Sequence, residues 1–377
     1  MNSENINIVF VDTNEAVVAV AATLQAKNEI CFDTEFDRFW REYGFKLFLL
    51  QIFDGENCYL IDPLAVTDLS PIWQVFENDS ICKVAYACLE DVQLLKTHGC
   101  NIKNVFDVQV LAKFSNQVAN SFAELVADIC HVTIDKNYQL SNWRKRPLLA
   151  NQLTYASNDV IWLLAIKSTL LSSHFNNELL PMLSEENLLC EAATVTLYTV
   201  KLSNKQQATL STYHANVLLQ LFAVRNTLAE AYNIPPATFV ADNVLEKFVL
   251  NKHLFTADGF SVGFSKLMIN DEEAKAAFSN IIQAIDAQAS TIVERKKSST
   301  HFENYDARLA RKATADVLCK AVAEQVKITY GSIAGEYIMR GIKRELQIKP
   351  YKDIKLRQYQ QQIFEQVSNQ LQLSYNF

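Results

Sequence analysis

At 377 residues the chain exceeds what one hydrophobic core usually organises, so two or three domains are expected. Its 49% hydrophobic residues, with only eight glycines and seven prolines, fit a compact, helix-rich protein and exclude a disordered or fibrous one. The net charge of −7 is unevenly placed: residues 291–377 carry fifteen Lys/Arg and nine Asp/Glu, a net of +6, which leaves −13 for residues 1–290. A basic end suits a phosphate-bearing partner, and it suits a solvated helical surface equally well.

Residues 6–62 alternate strand-like and helix-like segments. INIVFV reads as a strand, NEAVVAVAATLQAK as a helix, and EICFDTEF, KLFLLQIFD and NCYLIDP as strands, with Asp54-Gly55 marking a hairpin between the last two. There follow a helix near 69–77, the strand ICKVAY, a helix from about 89, a strand-to-helix passage at NVFDVQVLAKF, and the helix SFAELVADICHV. The class is therefore mixed α/β. Residues 135–149 lose periodicity and read as a loop, and Leu153 to Leu171 reads as a helix. From about 172 the β signal stops. Residues 185–232 read as long helix, 233–243 as a loop in which Pro235-Pro236 forbids helix, VLEKFVL as helix, 256–262 as a second loop, and helices close this part near 290. A polar stretch, 294–306, precedes a last helical segment over 307–377. One α/β domain followed by two helical ones is the expected organisation.

The start, MNSENINIVFVD, has no basic region leading into an apolar run, so no signal peptide is expected. No apolar stretch reaches the roughly 18–20 residues that cross a bilayer, so a cytoplasmic protein with no membrane partner is expected. The eight cysteines form no C-x-x-C pair or Cys/His cluster, which argues against zinc or redox chemistry.

Four acidic residues carry the chemical signal. Asp33 and Glu35 end the apolar run Ile30-Cys31-Phe32, and two residues apart on a strand they share a face. Asp91 opens an apolar periodic stretch, while Tyr155 and Asp159 lie four apart on one face of a helix. Carboxylates without His or Cys make a hard oxygen site that favours Mg²⁺ or Mn²⁺ over zinc. Two such ions about 3.5–4 Å apart clamp the attacking and leaving oxygens of an in-line phosphoryl displacement. Tyr155 can hydrogen-bond and orient the attacking water without ionising. Any one acid at a strand end is more often a cap or a solvated group, but a pair closing an apolar strand is costly without cations. The joint occurrence of the four decides for a site.

Three further groups can meet a polymer. Asn142-Trp143-Arg144-Lys145-Arg146-Pro147 sets an aromatic among cations: Arg144 and Arg146 can hold phosphates, and Trp143 can stack on a base or anchor the loop in the core. Phe36, with Phe39 and Trp40, can wedge against a terminal base, and Phe36 suits the core equally. Arg340, Lys343, Arg344, Lys349, Lys352, Lys355 and Arg357, interleaved with Tyr351 and Tyr359, read as an RNA-contacting surface or a solvated helix face.

These motifs resemble the DEDD 3′→5′ exonucleases of the tyrosine-bearing subclass, and within it the ribonuclease D branch. DTEF (33–36), LED (89–91) and YASNDV (155–160) look like its three exonuclease motifs in order. LFLLQIFDGENCYLIDP (47–63) looks like the strands after the first motif, and LSNWRKRPL (140–148) is similar to the branch's S-D-W-x-x-R-P-L segment. RNTLAEAYNIPPATFVADNVLEKFV looks like part of an HRDC domain. The resemblance implies an α/β ribonuclease-H-like core with a mixed sheet over 1–172, a helical linker over 173–207, an HRDC domain over 208–291 and a second HRDC-like domain over 292–377. It implies that Asp33, Glu35, Asp91 and Asp159 bind two divalent metal ions and that Tyr155 positions the water. It also implies a 3′→5′ exoribonuclease that trims structured RNA, such as tRNA precursors, to nucleoside 5′-monophosphates; no obligate protein partner is evident in the sequence. The chain departs from the branch at Tyr86, where His is common, at Asn142, where Asp precedes the Trp, and at EYGFKLFLLQ, which lacks a Tyr-Pro. A DNA exonuclease stays open as an alternative, because the same carboxylates cut either polymer; a catalytically idle RNA-binding protein that uses the helical domains is a second, and the intact acidic set argues against it.

Overall fold

The computed structural model describes residues 6–38, 42–135, 137–195, 200–250, 272, 276, 305–340, 342 and 356–371. By packing, the chain divides into two units: residues 1–35, 47–195 and 303–377 form the first, and 36–46 with 196–302 the second. Among the described residues no helix is long and apolar enough to cross a membrane.

The first unit is built on a six-stranded mixed sheet in the order β1-β4-β3-β2-β5-β6, where β1 is Asn7–Val11, β2 Glu29–Arg38, β3 Phe45–Phe53, β4 Asn57–Ile61, β5 Cys82–Ala85 and β6 Val105–Asp107. The expected hairpin joins β3 to β4 in antiparallel register, Leu50 opposite Ile61 and Phe53 opposite Cys58. Its turn is tied by Asp54, whose Oδ1 accepts the backbone N–H groups of Glu56 and Asn57 at 2.9 and 2.7 Å, and Gly55 takes φ +97°. β1 runs parallel to β4, β2 to β5 and β5 to β6. Ile30, Cys31, Phe32, Leu49, Leu50, Ile52 and Phe53 are fully buried, as strands covered on both faces require.

Helices cover the sheet. α1 (Asn14–Leu24) buries Val17, Val20, Ala21 and Leu24, an i, i+3, i+4, i+7 stripe, and begins where Thr13 Oγ1 accepts the Ala16 N–H at 3.2 Å. α2 (Ser70–Glu77), α3 (Leu89–Thr97), α4 (Val108–Phe114) and α5 (Phe122–Cys130) follow the expected segments. The helix expected over 153–171 is two helices, α6 (Ala150–Ile161) and α7 (Leu163–Ser173), which part at the buried Trp162.

The long helix expected over 185–232 is corrected by the structure. α8 (Leu180–Glu191) ends early, and α9 (Asn204–Thr209) and α10 (Thr212–Ala231) start afresh where Ser203 and Ser211 accept the N–H groups of Gln206 and His214, each at 3.2 Å. Pro235-Pro236 was expected to forbid helix, yet Pro236 opens the short α11 (Pro236–Phe239). At a first helical position the missing N–H removes no bond. α10, α11 and α12 (Asp242–Leu250) belong to the second unit and enclose Leu218, Leu221, Phe222, Phe239 and Phe248. Arg225, fully buried there, donates to Val240 O at 2.8 Å and to Asp242 at 2.5 Å. The expected loop at 256–262, the helices to near 290 and most of the polar stretch 294–306 lie outside the described residues.

The segment from 303 onward belongs by packing to the unit of the sheet. α13 (Tyr305–Tyr330), α14 (Ser332–Ile338) and α15 (Gln358–Gln370) share its core, with α14 against α4 and α15 against α8. Glu186 of α8, itself buried, accepts the hydroxyls of Tyr337 at 3.1 Å and Tyr359 at 2.6 Å and pairs with Arg357 at 2.8 Å. Arg357 and Tyr359 are thus structural contacts, a correction to the RNA-facing surface expected of them. Lys343, Arg344, Lys349, Tyr351, Lys352 and Lys355 of that surface lie outside the described residues.

Candidate active site

β2 brings Asp33 and Glu35 to one face, and α6 brings Tyr155 and Asp159 to it. Carboxylate oxygens of Asp33, Glu35 and Asp159 lie within 4.8 Å of one another. An octahedral oxygen shell at about 2.0–2.1 Å spaces its ligands about 3 Å apart, or about 4 Å across the ion, so three carboxylates this close can share a hard divalent cation.

The fourth acid is held differently. Asp91, in the first turn of α3, is buried and accepts a hydrogen bond at Oδ1 from the Thr34 hydroxyl, on the residue between the two β2 acids. The start of α3 is fixed by Asp107, whose carboxylate accepts the N–H groups of Ala87 at 2.9 Å and Cys88 at 3.3 Å while capping α4 through Gln109 N at 2.8 Å. This lets Ala87 hold φ +55° in the turn between β5 and α3.

The charges repel. Burial, and then the neighbouring charges of Asp91, Asp159 and Glu35, hold the Asp33 carboxyl well above the usual carboxylate range. Glu35 is raised by burial and by Asp159 and Asp91. Burial pushes Asp91 up to about 6, against the Thr34 hydrogen bond, and Asp159 up to about 7, against a hydrogen bond from Tyr155. The Tyr155 phenol is itself raised, first by burial and then by Asp159, Glu35 and Asp33, so it stays protonated and can donate.

A cavity of about 330 Å³ opens on this cluster. Asp33, Tyr155 and Asp159 line one side; Tyr86 and Phe122, ring centroids 5.1 Å apart, line another; Ser121, Asp135 and Gln139 complete it. Sequence reasoning singled out Tyr86 only as a departure and missed Phe122, on α5, and Asp135 and Gln139, in the loop before α6. Ser121 carried one signal: it caps α5, with Glu124 three residues on.

The residues expected to meet the polymer divide. Arg144 is exposed. Arg146, in place of the expected substrate contact, directs its donors inward: to Asp62 Oδ2 at 2.5 Å and Oδ1 at 2.7 Å, to Phe48 O at 2.7 Å and to Trp143 O at 2.6 Å. Trp143 is 5% exposed, and its ring lies 5.9 Å from that of Tyr155. It anchors the loop in the core. Phe36 stacks on Phe45 with centroids 5.7 Å apart, inside the second unit. Phe39 and Trp40 lie outside the described residues.

Comparison with known proteins agrees with this construction. Residues 8–173 match the model of a family described as 3′-5′ exonuclease, a span that holds nearly all of the mixed sheet and the whole acidic cluster. Among curated proteins, ribonuclease D of Escherichia coli is 36% identical over 167 residues, 44% of this chain and 44% of that protein. Ribonuclease D of Haemophilus influenzae is 37% identical over 158 residues, 41% of this chain and 39% of that protein. The chain thus matches less than half the length of these relatives. The crystal structure of E. coli RNase D, described as an exoribonuclease involved in structured RNA processing, is similar in fold, with TM-score 0.74 and 24% identity over 97% of this chain and 99% of that one.

Proposed function

We propose that the protein is a metal-dependent 3′→5′ exoribonuclease that trims the 3′ ends of structured RNA, such as tRNA precursors, and releases nucleoside 5′-monophosphates. The observation that carries this reading is the convergence of Asp33, Glu35 and Asp159, two of which, Asp33 and Asp159, line one cavity with Tyr155. The choice of RNA over DNA rests on the relatives named ribonuclease D.

Asp33, Glu35 and Asp159 would hold one Mg²⁺ or Mn²⁺, and Asp91, with Asp33, a second. Bound there, the ions supply neutralisation of the phosphate charge and stabilisation of the leaving oxygen. The chain's own residues do the rest. With Asp159 committed to the ion, the Tyr155 hydroxyl would turn its single proton from that carboxylate to the water and hold the water opposite the departing 3′ oxygen. The Thr34 hydroxyl fixes one oxygen of Asp91 and leaves the other to the site. The cavity, with aromatic and polar walls, takes the terminal nucleotide.

Two helical parts accompany the domain. Residues 208–291 are read as an HRDC domain, supported by the helix, Pro-led turn and helix of 212–250. Residues 292–377 are read as a second HRDC-like segment, on resemblance. A cytoplasmic location goes with this reading. Digestion of matched single-stranded RNA and DNA oligonucleotides with Mg²⁺ or Mn²⁺ tests it: faster loss of RNA is expected, and faster loss of DNA overturns the choice of polymer.

A further inference from the structure

A tyrosine can orient a water only while its ring is fixed, and a helix fixes its backbone rather than its χ angles. The Tyr155 ring meets that of Trp143 at 5.9 Å between centroids, tilted by 41°. Trp143 is 5% exposed, and its indole Nε1 is buried with no hydrogen-bond partner. An unpaired buried donor is a burden that a Phe would not carry, so the indole is not there to make a hydrogen bond. What it supplies is a large, rigid ring face.

The place of Trp143 is itself held. Arg146 Nη1 donates to Trp143 O at 2.6 Å, while the rest of the guanidinium grips Phe48 O on β3 and the Asp62 carboxylate just after β4. On the other side the loop is stitched to α6. Gln152 Nε2 donates to Ser141 Oγ at 2.9 Å, Asn151 Nδ2 to the Tyr138 hydroxyl at 2.8 Å, and the Leu149 N–H to Gln152 Oε1 at 3.0 Å. The loop is tied to the sheet through a cation and to the helix through three hydrogen bonds of Asn151 and Gln152, with Trp143 between.

We propose that Trp143 and Arg146 are positioning residues for Tyr155: the guanidinium fixes the loop to the sheet, and the indole holds the phenol ring where its hydroxyl meets the water beside Asp159. The chemistry rests on the exonuclease reading above; the geometry rests on packing alone. Arg146 thus serves the reaction without touching the polymer.

The test uses the full chain labelled with 3-fluorotyrosine, the Tyr155 resonance being assigned by its loss in Tyr155→Phe, together with kcat and KM on an RNA oligonucleotide. Trp143→Phe keeps a ring and is expected to keep the resonance narrow and kcat within about threefold. Trp143→Leu removes it, and is expected to shift or broaden the resonance and to lower kcat about ten- to a hundredfold with KM within about twofold. In the Tyr155→Phe background the same change should lower kcat by less than about twofold, because the hydroxyl it serves is gone. A purely structural role lowers kcat equally in both backgrounds. That outcome, or an unmoved Tyr155 resonance in Trp143→Leu, overturns the proposal. Should Trp143→Leu fail to fold, Arg146→Gln in the same two backgrounds carries the same readouts. If even the unsubstituted chain cleaves no RNA, the exoribonuclease reading falls while the resonance alone decides the positioning.

Discussion

The Thr34 hydroxyl donates to Asp91 Oδ1 across 57 residues of sequence, joining the strand of the first acidic motif to the helix of the second. The bond is buried, and it opposes the rise that burial imposes on the Asp91 carboxyl. Thr34→Val keeps the shape and removes the donor. Leaving a buried acceptor unpaired costs about 1–3 kcal/mol, which urea unfolding reads directly. Asp91 should then titrate higher than about 6, so the acid limb of the rate profile moves up in pH. An unmoved limb would mean that Thr34 does not order Asp91.

Asp91 and Asp159, at about 6 and about 7, lie above the roughly 3.9 of an Asp in the unfolded chain. The folded state therefore binds protons more tightly, and these groups stabilise it fully below the unfolded value and lose that contribution as pH rises through about 6 to 7. Without divalent cations the protein should be less thermally stable at pH 8 than at pH 5.5. Mn²⁺ or Mg²⁺ should raise the melting temperature more at pH 8, where the ion displaces no proton. Equal metal stabilisation at both pH values would count against an acidic metal centre.

Arg144 and Arg146 are two residues apart in sequence and differ in their surroundings. Arg144→Ala should weaken RNA binding and lower the salt slope of log Kd by about one. Arg146→Gln should leave that slope unchanged and destabilise the fold by about 2–4 kcal/mol, since it strands the buried Asp62. Salt titrations of RNA affinity, paired with urea unfolding, separate the two.

Gly331, at φ +93°, parts α13 from α14, and a Cβ there would run into the Asn116 side chain. Asn116 cannot readily yield, because it donates to Tyr330 O at 2.8 Å and accepts from Ile333 N at 3.1 Å and Ala334 N at 3.2 Å. Gly331→Ala should destabilise by about 2–3 kcal/mol, read by thermal unfolding, while the metal affinity of the folded protein stays unchanged.

What the sequence made legible was local. Asp33 with Glu35, and Tyr155 with Asp159, follow from the periods of a strand and a helix, and the hairpin follows from Asp54-Gly55. The link between Thr34 and Asp91 has no such period. Arg146 reads as a phosphate ligand because charge in a loop does, whereas its acceptors, Phe48 O and Asp62, lie 98 and 84 residues away. Apolar periodicity over 185–232 hid two helix starts that Ser203 and Ser211 set by capping. Tyr86, Phe122 and Gln139 meet only once the β5–α3 turn, α5 and the loop before α6 are folded together.

The central claim is a carboxylate centre that works only with divalent cations, and product length from a 3′-extended tRNA tests it most directly. The full chain and its Asp33→Asn variant are compared with Mn²⁺ or Mg²⁺ and with a chelator. A ladder growing inward from the 3′ end, present only with metal and only in the unsubstituted chain, is the expected result. A ladder that forms in chelator, or one that survives in Asp33→Asn, would contradict the account.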